Sequence, residues 1–241
     1  MRLAKYLARA GVASRRRAED MIYAGRVAVN GVTADKPQVQ VSAGDTVTVD
    51  GKAVQGPERK IYLLLNKPPG YISTAHDTHN RPTVTDLLGN IEARVYPVGR
   101  LDADTCGALM LTNDGELAHR LMHPRYEVEK VYHALVKGLP GESALEMMRR
   151  GIVIEGEKTA PAGVKLLKAI PQNNTALLEI TLTEGKKRQV KKMCSAAGHP
   201  VRALKRVSFA GLKVNSLKQG AYRELEEQEI SSLYRLAGLE G

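Results

Sequence analysis

The stretch Gly99-Arg100-Leu101-Asp102-Ala103-Asp104-Thr105-Cys106-Gly107-Ala108-Leu109-Met110-Leu111-Thr112-Asn113-Asp114-Gly115 has a charged, glycine-led head, an apolar body and a turn-forming Asn-Asp-Gly tail. If residues 100–102 are extended, Arg100 and Asp102 point to one side and Leu101 to the other. Leu101 then anchors in a core while the charged pair faces outward. Such an arrangement presents a reactive carboxylate to a cleft, and it equally describes a surface ion pair. The surrounding sequence has to decide.

Upstream, Ile61–Leu65 is an apolar run suited to a buried strand, and Asn66-Lys67-Pro68-Pro69-Gly70 forces a turn after it. Residues 73–83 are polar and read as a mobile loop. Downstream, Glu116–Met122 reads as a helix that stops before Pro124, and Glu129–Lys137 alternates as a strand. A Ser-x-x-Glu capping box, Ser143 and Glu146, opens a helix that runs to Arg150 and ends at Gly151. Ala162–Leu167 and Leu177–Leu182 read as strands. Lys187–Ala197 reads as a helix with Val190, Met193, Cys194 and Ala197 on its apolar face and Arg188 and Lys192 on the other. A charged helix from Glu226 to Leu236 closes the chain at Gly238. Strands outnumber helices and mostly lie too close in sequence for parallel crossovers, so the expected class is α+β, with a mixed, mainly antiparallel sheet and flanking helices.

The N-terminal segment is a different kind of sequence. Leu3, Tyr6, Leu7 and Ala10 recur at helical spacing up to Gly11, and Ser14 is placed to cap a second helix through Ala24. Val27–Asn30 runs into an Asn30-Gly31 hairpin signal, with short strands expected at Val39–Val41 and Thr46–Val49, the latter closed by Asp50-Gly51. Polar residues with a Gly-Pro break follow. The expected organisation is a small domain at 1–51, a linker at 52–60 and a larger domain at 61–241.

Composition narrows the partners. The 241 residues carry 36 Lys and Arg against 26 Asp and Glu, a net charge of +10. The excess sits in two places. Residues 1–36 hold Arg2, Lys5, Arg9, Arg15, Arg16, Arg17, Arg26 and Lys36 against Glu19, Asp20 and Asp35. Residues 185–206 hold Lys186, Lys187, Arg188, Lys191, Lys192, Arg202, Lys205 and Arg206 with no acid among them. Two clusters of one sign fit a two-point grip on nucleic acid. No segment approaches the apolar length of a membrane span. The N-terminus is unlike a secretory signal, and Cys106 and Cys194 stand far apart without a CxxC pair, so the chain reads as cytoplasmic.

Two resemblances follow from these residues. Leu-Ala-Lys-Tyr-Leu-Ala-Arg-Ala-Gly-Val-Ala-Ser-Arg-Arg-Arg-Ala-Glu from Leu3, followed by Gly25-Arg26-Val27 and Val29-Asn30-Gly31, resembles an S4 RNA-binding domain. Gly99-Arg100-Leu101-Asp102-x-x-Thr105-x-Gly107 with Leu111-Thr112-Asn113-Asp114-Gly115 resembles the signature of the RsuA/RluB branch of pseudouridine synthases. Asn66-Lys67-Pro68-x-Gly70, Lys130-x-Tyr132 and Glu184-Gly185-Lys186-x-Arg188-Gln189-Val190 stand in the order that resemblance requires.

The resemblance implies isomerisation of uridine to pseudouridine in a ribosomal RNA stem-loop, without metal or cofactor, by a protein taken as a monomer. It favours the 23S RNA of the large subunit. The alternatives are a 16S enzyme, a non-catalytic ribosome-assembly factor or a basic DNA-binding protein. The essential aspartate falls on Asp102, as nucleophile or as base. A uridine inside a stem must be flipped out and its place filled, a role for Arg100. Tyr132 offers a flat face to the base, and Arg188 is expected to pair with Asp102. Arg15, Arg16, Arg17, Lys67, Lys186, Lys187, Lys191 and Lys192 are the expected RNA contacts. Cys106 stands where the pattern carries serine and Ala108 where it carries leucine, and both imply adjusted packing.

Overall fold

The computed structural model describes residues 1–89, 91 and 93–239. It divides into two compact units, one formed by Met1–Ile61 with Ile91–Arg94 and Asn113–Gly115, the other by the remainder.

The smaller unit begins with helices α1 (Leu3–Arg9) and α2 (Arg15–Tyr23). Ser14 caps α2, its hydroxyl accepting from the Arg17 N–H at 3.1 Å. Strands β1 (Val27–Val29), β2 (Val32–Thr33), β3 (Val47–Val49) and β4 (Lys52–Ala53) form an antiparallel sheet in the order β2-β1-β3-β4. Asn30 and Gly31 have φ of 51° and 80°, and Asp50 and Gly51 have 51° and 77°. Paired positive values of φ are what two-residue hairpins with the sheet's own twist require. Leu3, Leu7, Ala18, Ile22, Val27 and Val47 fill the core.

Two expectations are corrected here. Val39–Val41 forms no strand, making only a single bridge between Arg2 and Gln40. The segment expected as linker begins as β4, because Asp50-Gly51 turns the chain back onto β3 rather than ending it.

The larger unit is built on one sheet. Its strands are β5 (Tyr62–Lys67), β6 (Tyr96–Pro97), β7 (Cys106–Thr112), β8 (Lys130–Lys137), β11 (Gly163–Ile170), β12 (Thr175–Leu182), β13 (Val201–Phe209), β14 (Leu212–Lys213) and β15 (Tyr222–Glu224). A separate hairpin pairs β9 (Val153–Ile154) with β10 (Glu157–Lys158). The main order is β11-β12-β8-β13-β7-β5-β15, with β14 on β13 and β6 on β7. Only β13 and β7 run parallel, through Lys205 with Cys106 and Arg206 with Gly107; the other pairs are antiparallel. The mixed, mainly antiparallel α+β fold is therefore as expected.

Helices α3 (Gly115–Met122), α4 (Glu142–Arg149), α5 (Gln189–Ala196) and α6 (Glu227–Leu236) complete the unit. Val190, Met193 and Cys194 of α5 pack with Ala134, Leu178 and Ile180 of the sheet. Leu64, Met110, Phe209, Leu117 and Leu233 form a second core. The Ser143 box does not form: α4 starts at Glu142 behind Gly141, which leaves Ser143 inside the helix. The nine-residue β13 has no counterpart in the sequence reading, which took its lysines and arginines for part of a basic run.

Candidate active site

The loop entering β7 carries Asp102, and its shape is set by hydrogen bonds to its backbone. Leu101 is buried, and Ser73 closes a two-way bond with it: its hydroxyl donates to the Leu101 carbonyl at 2.9 Å and accepts from the Leu101 N–H at 3.0 Å. Lys67, at the end of β5, is wholly buried, and its ammonium reaches the carbonyls of Asp102 (3.2 Å), Ala103 (3.3 Å), Thr105 (2.9 Å) and Pro68 (3.0 Å). Burial pulls the Lys67 pKa down to about 8, with the carboxylates of Asp104 and Asp102 opposing it. Lys67 therefore shapes the loop from beneath, and the expectation that it meets RNA is corrected: an ammonium without exposed surface cannot reach a phosphate.

The Asp102 carboxylate stays partly exposed, its side chain 39% accessible, and its ionic partner is Lys191, at 3.2 Å. The same ammonium pairs with Asp104 and holds that carboxyl below the usual carboxylate range. Lys191, and not the expected Arg188, is thus the residue paired with Asp102. Helix α5 starts one residue after Arg188, which occupies the N-cap with φ at 55°. That leaves Arg188 exposed and with no carboxylate at ion-pair distance among the described residues, while Lys191, in the first turn, covers Asp102. The loop before α5 is clamped by its own motif, since Glu184 accepts from the Gln189 amide while Gln189 accepts from the Lys186 N–H at 3.0 Å. Lys186 pairs with Glu157 and Lys192 with Glu155, and Lys187 is exposed.

These elements surround a cleft of about 1160 Å³, lined among others by Ser73, Arg100, Asp102, Tyr132, Arg188 and Arg206. Strand alternation explains the β8 contribution: Lys130 and Tyr132 face the cleft, while Val131 and His133 face the opposite side of the sheet. Lys130 donates to the carbonyls of Val128 (2.7 Å) and Thr183 (3.0 Å), and burial draws its pKa to about 8. Arg100 is exposed and lines the cleft.

Arg206 was missed. It is 3% exposed, opposite Tyr132 across β8 and β13, with Nε on the Ala108 carbonyl at 2.7 Å and its guanidinium 4.8 Å from the Phe209 ring. The period-two spacing of Val201, Ala203, Val207 and Phe209 was the available signal, interrupted by Lys205. The motif glycine Gly107 is explained by the same seam: a Cβ there would stand 2.1 Å from the Arg206 carbonyl oxygen. Cys106 makes a weak thiol contact to the Leu204 carbonyl at 3.6 Å, a packing position. Burial raises the Cys194 thiol to about 12, which leaves it inert.

A basic cleft with the Asp102 carboxylate at its rim, beside a tyrosine and a buried arginine, fits an RNA-modifying enzyme, and comparison with known proteins agrees. Residues 61–196 match the family described as RNA pseudouridylate synthase, and residues 1–47 match the S4 domain. The chain belongs to the RNA pseudouridylate synthase family. It is 48% identical over 98% of its length, and 96% of the relative's, to the "Ribosomal large subunit pseudouridine synthase B" of Bacillus subtilis (strain 168). It is 44% identical to an "Uncharacterized RNA pseudouridine synthase" of Aquifex aeolicus (strain VF5), over 99% of this chain and 96% of that one. A solved structure titled "Crystal structure of pseudouridylate synthase" superimposes with a TM-score of 0.69 at 30% identity, covering 97% of this chain and 99% of that chain.

Proposed function

We propose that this protein converts uridine to pseudouridine at a defined position of large-subunit ribosomal RNA, working in the cytoplasm as a monomer. The observation that carries the reading is the cleft itself: one carboxylate, Asp102, is held at its rim by a loop whose carbonyls are fixed from beneath by Lys67. The 48% identity to the large-subunit enzyme of Bacillus subtilis supports the choice of substrate RNA.

The chemistry breaks the N1–C1′ bond, turns the uracil, joins C5 to C1′ and moves the C5 proton to solvent while N1 gains one. Asp102 opens the glycosidic bond at the ribose. Tyr132 carries the flipped base, and Arg100 enters the vacated stack. Lys191 orients the Asp102 carboxylate in the free enzyme through their ion pair. Arg188 and Lys187, exposed and with no carboxylate at ion-pair distance among the described residues, meet phosphates, as do Arg15, Arg16 and Arg17 in the first turn of α2. Three cations at a helix N-terminus oppose its dipole, an arrangement that favours anion capture over stability.

The test is pseudouridine mapping on unmodified 23S and 16S transcripts after incubation with wild type and Asp102→Asn. Wild type should place pseudouridine in 23S alone, and Asp102→Asn should bind equally and form none. No product from wild type on either RNA would overturn the function; product in 16S alone would move the substrate to the small subunit.

A further inference from the structure

Within the reading just given, one group in the cleft has no assigned work. Arg206 is a cation buried to 3% exposure with no carboxylate at ion-pair distance among the described residues. Its Nε is used on the Ala108 carbonyl, and the Phe209 ring covers one face, but Nη2 is buried without a hydrogen-bond partner. Burial opposes its charge, and the neighbouring Tyr132 side chain supports it. A buried, half-satisfied guanidinium is unfavourable for a fold unless something completes it. A second orphan lies in the same cleft: the Thr105 hydroxyl, buried and without a partner, three residues after Asp102. Both line the cavity that receives the base, and β13 and β7 are adjacent there through Arg206 and Gly107.

We infer that Arg206 Nη2 donates to a carbonyl oxygen of the flipped uracil, with the Thr105 hydroxyl on the adjoining edge atom. Uracil presents two carbonyls, O2 and O4, flanking one N–H at N3, which a donor and a hydroxyl lining the same cleft can read. When the N1–C1′ bond breaks, the electron pair left on the base spreads onto N1, O2 and O4. A fixed guanidinium on a carbonyl therefore gains strength as charge develops there, and Arg206 lowers the barrier as well as selecting the base. In the free enzyme the same donor waits unpaired, already oriented by Ala108 and Phe209.

The experiment compares wild type, Arg206→Met and Arg206→Lys on the full-length chain. Single-turnover rates are measured with 23S fragments whose target uridine, located by mapping with wild type, is uridine, 2-thiouridine or 4-thiouridine. Sulfur is a poorer acceptor, so one thio substrate should slow wild type at least about tenfold. Arg206→Met should be slowed comparably on uridine, with RNA affinity within about twofold, and should show no further loss on that thio substrate. Its melting temperature should move little, relief of the buried charge offsetting the lost bond to the Ala108 carbonyl. If Arg206→Met does not fold, Arg206→Lys carries the same comparison. Equal thio effects in wild type and variants, or thio substrates processed at the uridine rate by wild type, would overturn the inference. Absence of turnover by wild type on ordinary uridine would instead overturn the functional reading, and this inference with it.

Discussion

Replacing Lys67 with Met separates two accounts of a lysine that the sequence offered as an RNA contact and the structure buries. Lowering the pKa from 10.5 to about 8 means that burying the ammonium opposes folding by about 3 kcal/mol at neutral pH. Methionine removes that penalty but leaves the carbonyls of Thr105 and Pro68 without this donor, at about 1–3 kcal/mol each, while Asp102 keeps the Thr105 N–H at 3.0 Å and Ala103 keeps the Gly70 N–H at 2.8 Å. The opposing contributions nearly cancel, so global stability should move by no more than a few kcal/mol. The loop carrying Asp102 nevertheless loses the group that gathers its carbonyls. A displacement of about 1 Å at a reacting group lowers a rate roughly 100-fold. The expected result is kcat for pseudouridine formation down about 100-fold, with RNA Kd and its salt dependence unchanged. A phosphate contact would give the reverse: weaker binding, a flatter salt slope and nearly full kcat at saturating RNA. Either that pattern or an unchanged kcat would refute the structural account.

Four other outcomes are expected. In the unfolded chain the Lys67 amine titrates near 10.5, so between pH 8 and 10.5 the unfolded state holds the extra proton and stability attributable to Lys67 rises with pH by up to about 3 kcal/mol, being lost again as pH falls through 8. Urea titrations of wild type and Lys67→Met across that range should diverge accordingly, and parallel curves would reject the shift. Replacing Arg15, Arg16 and Arg17 together with Ala should weaken RNA binding and flatten the plot of log Kd against log salt by about two to three units. The same change should raise thermal stability, since each cation at the α2 N-terminus opposes the dipole by about 0.3–1 kcal/mol; calorimetry showing a loss would contradict this. Gly107→Ala should destabilise the larger unit by about 3–5 kcal/mol, because its Cβ meets strand backbone and φ is +109°. A melting temperature equal to wild type would show that the β7–β13 seam yields more easily than its geometry implies.

Much of the fold was legible because its signals are local. The Ser14 cap, the Asn30-Gly31 hairpin and the Val190-Met193-Cys194 face each depend on residues within a turn or two, and each stands where the spacing put it. The errors arose where the deciding partner is distant. Val39–Val41 has the composition of a strand but finds only one bridging residue. Ser143 and Glu146 have the spacing of a capping box, yet the helix begins one residue before Ser143, since the box describes only what would cap a helix that started after it. At the site, the order of motifs was readable and the pairing of charges was not. Arg188 and Lys191 are three residues apart in one basic run, and only the point at which α5 begins decides which of them covers Asp102.

β13 shows why the basic run misled most. A surface strand with charged residues on its solvent face and a cluster of phosphate contacts have the same composition, and Arg202, Lys205 and Arg206 fit both. What separates them is position in the sheet. β13 lies between β8 and β7, and Arg206 points into the cleft while Val207 turns to the opposite face, where a bulge between Arg206 and Ser208 places Ser208 as well. The one parallel pairing of the sheet brings Arg206 beside the glycine five residues after Asp102, and the antiparallel pairing on its other side brings it opposite Tyr132. Three segments distant in sequence thus meet because a single strand is inserted between them. The glycine of the signature is needed for the backbone contact of that insertion, which ties the legible motif to the residue that was not legible.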